Sequence, residues 1–136
     1  FQEKREFPYA LRFEGTSFAA NGTLLLAPTA RGLTCATFIL AVFKAIGLDM
    51  VNEQSWPVRD DEDRRFLEAI RSQATPEHVA ILEREIEDGV RRIRPDEVAG
   101  AAMIEWPAEF GPTRAQADIV VERLDDAELE RGLSER

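Results

Sequence analysis

An apolar run from Leu33 to Ile46, interrupted by Lys44 and closed by Gly47, constrains this chain more than any other feature. Phe38, Ile39, Val42, Phe43 and Ile46 fall on one helical stripe, and Leu40 and Ala41 widen it. The spacing predicts a helix from about Thr34 to Ile46, buried on most sides, with Gly47 as its C-terminal cap. A helix covered that broadly needs a sheet of several strands, or other helices, to pack against it.

The residues before the run supply little sheet. FPYALRF, Phe7 to Phe13, alternates with Phe7, Tyr9, Leu11 and Phe13 on one face, which is a strand pattern. Asn21 and Gly22 mark a turn, Thr23 to Ala27 reads as a second strand, and Pro28 ends it. Two strands do not complete an α/β layer. Because the chain also begins at Phe1 and not at Met, further strands are expected to precede it, although helices downstream are an alternative cover.

Those helices are legible. One is expected from near Asp61, with acidic residues in its first turn and Phe66, Leu67 and Ile70 inward. Thr75 and Pro76 read as cap and first residue of another, with Val79, Leu82 and Ile86 inward. Pro95 opens a short helix reaching towards Trp106, and a last one from about Pro112 carries Ile119, Val120 and Leu124 into a charged tail. The expected organisation is a single α+β domain, with short antiparallel strands and the cysteine-bearing helix in residues 1–48 and a helical extension in 49–136.

Composition excludes several functions. The 136 residues, 44% hydrophobic and 32% charged, fit an ordinary soluble globular domain. A formal net charge of -9 argues against nucleic acid, whose phosphates call for a basic stripe. The apolar run is too short to span a bilayer, and a cytoplasmic location is the default expectation. A single cysteine rules out an intrachain disulfide and any multi-cysteine zinc or iron–sulfur site.

That cysteine, Cys35, stands where the predicted helix begins. Unpaired backbone N–H groups and the helix dipole favour negative charge there, so a thiolate and an oxyanion held by the Cys35 N–H are both suited to the position. Gly32 permits a tight approach and Thr34 is placed to cap the helix. The bland alternative is a small packing thiol, since free cysteine is among the most buried residue types. Thiol alkylation separates the two.

GLTCATFILAVFKAIGL resembles the nucleophile helix of the papain-like NlpC/P60 superfamily, in which a Cys followed by a small residue, a hydroxyl or small residue and an aromatic opens a helix. Cys35, Ala36, Thr37 and Phe38 occupy that pattern. The resemblance covers about Phe7 to Leu48 and is to the circularly permuted members, in which the histidine strand precedes the cysteine helix. It implies a partial papain-like core and a cysteine hydrolase or acyltransferase, of the thiol peptidase or amidase kind, acting on amide or ester bonds of a peptide, acyl or other small substrate. Cys35 carries over as nucleophile, while the family histidine and its orienting partner match nothing here and are expected upstream.

The only histidine, His78, is a poor base for Cys35, because it falls at the start of the helix opened by Pro76. A chain without a proton partner for its thiolate is expected to be catalytically inactive by itself. No cofactor is implied, since a Gly-rich phosphate loop, a serine elbow and a metal-binding His pair are all missing. The acidic run Asp60 to Asp63 lacks the spacing of a calcium loop and reads as a solvated helix start. Arg91, Arg92 and Arg94 are expected to pair with nearby carboxylates, or else to meet a carboxylate or phosphate ligand. Trp56 and Trp106 line a cleft or anchor the helices. Two further readings remain open: a non-catalytic binding module of the same fold, and a helical interaction domain with Cys35 in its core.

Overall fold

A computed structural model describes residues 10–13, 16–25 and 32–134. Most of them are helical. Strands β1 (Ser17–Phe18) and β2 (Leu24–Leu25) form a two-stranded antiparallel ladder, pairing Ser17 with Leu25 and Phe18 with Leu24. Then follow α1 (Cys35–Ala45), a 3-10 turn at Glu53–Ser55, α2 (Asp60–Ile70), a second 3-10 turn at Arg71–Gln73, α3 (Pro76–Glu87), α4 (Pro95–Ala101) and α5 (Phe110–Ser134).

The expected α+β balance therefore shifts towards helix: among the described residues there is no sheet beyond the β1–β2 ladder. The strand expected over Phe7–Phe13 lies outside the described residues at 7–9, and 10–13 are not strand. The cause is local. The backbone N–H groups of Leu11 and Arg12 donate to the Glu85 carboxylate of α3, at 2.6 and 3.2 Å, instead of to a neighbouring strand. Of the second expected strand, Leu24 and Leu25 are observed and residues 26 and 27 lie outside the described residues.

Helix α1 forms where the spacing placed it, with Gly47 at φ 82° in the left-handed conformation that lets the Leu48 N–H close back on the Phe43 carbonyl at 3.0 Å. Its orientation differs from expectation. Ala36, Thr37, Leu40 and Ala41 are buried, whereas Phe38, Ile39, Val42 and Ile46 are exposed by 39, 42, 42 and 69%. Small residues face inward because α1 lies close to its neighbours. Its buried side meets Met50, Trp56, Val98 and Ala101 in one cluster that also takes in Phe13, Leu33 and Ala108.

Helices from the second part of the chain thus supply the cover for α1, and the core runs across the boundary expected near residue 48. A short parallel bridge, Val51 to Ala108, ties the segment after α1 to the start of α5. A second cluster, Leu11, Leu67, Val79, Leu82, Ile86 and Val90, is formed by the hairpin of α2 and α3 closing on the 10–13 segment. The expected inward residues of these two helices are those found there.

Between α4 and α5 the backbones nearly touch. A Cβ on Gly100 would lie 2.6 Å from the Thr113 carbonyl oxygen and 2.7 Å from the Ala117 nitrogen. Among the described side chains of α5 the last buried hydrophobic is Ala117, and beyond it Ile119, Leu124 and Leu129 are exposed by 41, 60 and 66%. Among the described residues no helix is long and apolar enough to cross a membrane.

Candidate functional site

Cys35 is the first residue of α1 and is solvent-exposed. The residues around it are held firmly. Thr34, in extended conformation, accepts from the Thr37 N–H at 3.1 Å, and the Thr37 hydroxyl accepts from the Thr34 N–H at 2.7 Å, a reciprocal capping box. Leu33, Thr34, Ala36 and Thr37 are all buried. The packing alternative, which needs Cys35 in the core, does not hold, because the helix turns its neighbours inward and leaves the thiol at the surface.

As the first two residues of the helix, Cys35 and Ala36 carry N–H groups that the intrahelical ladder does not use. Thr34 serves as cap, its side-chain oxygen committed to Thr37. Strand β1 lies alongside, with the rings of Phe18 and Phe38 edge to face at 5.4 Å. Cys35 thus stands at the head of a helix flanked by an aromatic pair.

His78 is elsewhere. It is exposed in the first turn of α3, where its backbone N–H donates to the Thr75 cap at 3.3 Å. Helix α3 packs against α2, while α1 packs against β1 and α4. The structure does not bring the chain's one imidazole into the company of its one thiol.

The acidic and basic runs are spent largely on each other. Asp60 pairs with Arg64 at 2.8 Å, Glu62 with Arg94 at 3.4 Å and Asp63 with Arg92 at 3.6 Å. Arg92 also stacks on Phe66, its guanidinium carbon 3.8 Å from the ring centroid. Burial pushes the Asp63 carboxyl above its ordinary range, against the opposing attraction of Arg92 and Arg59. Among the described residues no group of His, Cys, Asp and Glu is arranged to hold a metal ion.

Glu97 carries the densest polar network. Fully buried, it accepts from Trp56 Nε1 at 3.2 Å, from the Arg94 N–H at 2.9 Å, from Arg59 Nη1 at 2.7 Å and Nη2 at 2.9 Å, and from Arg114 Nη1 at 3.0 Å. Burial alone would raise its pKa; the bonds from Arg59 and the Arg94 backbone outweigh that and hold the carboxyl below its usual value. With all these donors satisfied inside the protein, Glu97 joins the start of α4 to α5 and to the segment before α2. Trp56 belongs to this network, and Trp106 anchors the other side, donating to the Ala101 carbonyl at 2.8 Å and meeting Phe43 edge to face.

Sequence reasoning missed Glu97 and Glu85 as buried carboxylates. For Glu97 a signal was present: a Glu two places after Pro95 is the third residue of a helix and reaches back to the cap N–H. For Glu85 the partners are backbone N–H groups far away in sequence, which leave no local mark. No protein-family model matches the chain, and no curated protein or solved structure matches it either.

Proposed function

We propose that Cys35 is the nucleophile of a cysteine hydrolase or acyltransferase of papain-like, permuted NlpC/P60 type. The observation that carries this reading is the exposure of the thiol at the first position of a capped helix whose surrounding residues are buried. A packing cysteine would be covered. The N–H groups of the first turn that the helix ladder does not use are suited to receive the oxygen of an attacked carbonyl.

In the proposed reaction the Cys35 sulfur attacks an amide or ester carbonyl, the leaving group departs and a thioester remains for water or another acceptor. The imidazole that takes and returns the proton is contributed from outside this chain, since His78 is the chain's only histidine and sits on α3. Incubation with p-nitrophenyl acetate tests the first half-reaction: intact-mass analysis is expected to show one acetyl group on Cys35 and none in Cys35→Ala. An unmodified chain, or equal labelling of the variant, would contradict the proposal.

A second reading, an interaction module of the same chain, is favoured by the exposed stripe Phe38, Ile39, Val42 and Ile46 on α1. Apolar residues in such a row mark binding surfaces more often than a monomer's ordinary surface does. The stripe begins one turn from Cys35, so both readings place the working face of the molecule on the outward side of α1.

A further inference from the structure

A cleft of about 600 Å³ opens on a different part of the molecule, at the seam between the two hydrophobic clusters. Its lining is mixed: Phe13, Val51 and Ile93 of the first cluster and Val90 of the second stand among charged and amide side chains. Its size lies in the range of small-molecule sites, which favour such junctions. It is separate from Cys35, because Lys44 on its wall lies nine residues further along α1, about 13 Å along the helix axis.

The charged groups on the walls are not equivalent. Lys44 pairs with Asp49 at 3.5 Å and lies 5.9 Å from the Phe13 ring centroid. Arg12 and Glu53 have interactions of their own. Arg91 alone of the cluster Arg91, Arg92 and Arg94 makes no ion pair among the described residues: Arg92 is held by Asp63 and Phe66, Arg94 by Glu62 and Asp96. It stands exposed between the buried Val90 and the half-buried Arg92, in the lining of the cleft.

In a chain of net charge -9, an uncommitted guanidinium beside apolar side chains is a recognition element for an anion with a hydrocarbon body. We propose that this cleft binds a small amphipathic organic anion, its oxyanion head on the Arg91 guanidinium and its apolar part on Phe13, Val51, Val90 and Ile93. Lys44 and Arg12 also line the cleft and add positive potential to it, while Asp49 and Glu53 add negative potential. The head group is a carboxylate or a phosphate monoester, both of which a guanidinium accepts through paired hydrogen bonds.

Titration of the isotope-labelled full chain with octanoate, followed by amide chemical shifts, tests the site. Shifts are expected at Val51, Asn52, Val90 and Arg91, and Arg91→Gln is expected to weaken binding about tenfold, as loss of one charge-assisted contact would. Phe38→Ser, on the outward face of α1, is expected to leave it unchanged. Octyl phosphate binding more tightly than octanoate would support the cleft and assign its head group to phosphate; the reverse order would assign it to carboxylate. Octanol binding as well as octanoate, inorganic phosphate binding as well as octyl phosphate, shifts centred on Phe38 and Val42, or an unaltered affinity in Arg91→Gln would each overturn the proposal.

Discussion

Arg59 and Glu97 face one another through two hydrogen bonds, Nη1 to Oε2 at 2.7 Å and Nη2 to Oε1 at 2.9 Å, across 38 residues of chain. Arg59 also donates to the Arg92 carbonyl at 2.6 Å and lies against the Phe110 ring. The pair therefore gathers the start of α2, the segment before α4, α4 itself and α5 around one carboxylate. Removing the acid leaves buried positive charge without its partner, and Glu97→Ala is expected to cost about 3–5 kcal/mol. Urea unfolding followed by tryptophan fluorescence measures this, since Trp56 belongs to the same network.

The same group sets a pH dependence. Because the folded carboxyl titrates below its ordinary value, its contribution is complete above about pH 4.3 and is lost as the pH falls through the depressed folded value. Asp63, whose folded value is raised, acts in the opposite sense: its ionisation weakens the fold as the pH rises through its window. Comparing Glu97→Gln with the parent chain isolates Glu97. The stability gap between them is expected to be constant near neutrality and to narrow below about pH 4.

Gly100 offers a case in which two effects oppose. Helix propensity favours alanine over glycine by about 1 kcal/mol. The new methyl, however, would sit 2.6 and 2.7 Å from backbone atoms of Thr113 and Ala117, which cannot move without shifting α5. Overpacking prevails, and Gly100→Ala is expected to destabilise by about 1–3 kcal/mol, with a lowered thermal midpoint.

Thr113, fully buried at that crossing, has a hydroxyl without a hydrogen-bond partner among the described residues. Valine has nearly the same shape and no polar atom to desolvate, so Thr113→Val is expected to raise stability by about 1 kcal/mol. A fall of similar size in the urea midpoint would show that the hydroxyl is satisfied in solution.

The sequence foretold helices better than it foretold their surroundings. Thr75 with Pro76, and the spacing of Val79, Leu82 and Ile86, are local signals, and α3 appears where they place it. The apolar run over α1 marked a helix but not which side would be covered. With apolar residues nearly all round, periodicity could not choose, and the close approach of neighbouring elements selected the small face of Ala36 and Ala41. FPYALRF alternates as a strand does, yet at Leu11 and Arg12 a distant carboxylate satisfies the backbone, a long-range bond that no window of sequence contains. At the candidate site, the helix start and the Thr34 cap were legible; the exposure of Cys35 depended on which way α1 turned.

The reactivity of Cys35 is the central claim, and the chain's single cysteine makes it directly measurable. The decisive measurement is the rate of iodoacetamide alkylation at neutral pH, taken on the folded chain and again in urea, with Thr34→Ala beside it. An exposed thiol assisted by a capped helix start is expected to react faster folded than unfolded, and the loss of the cap, itself worth about 1 kcal/mol of stability, is expected to reduce that advantage. A folded chain that reacts more slowly than the unfolded one would contradict the account and return Cys35 to a covered, structural role.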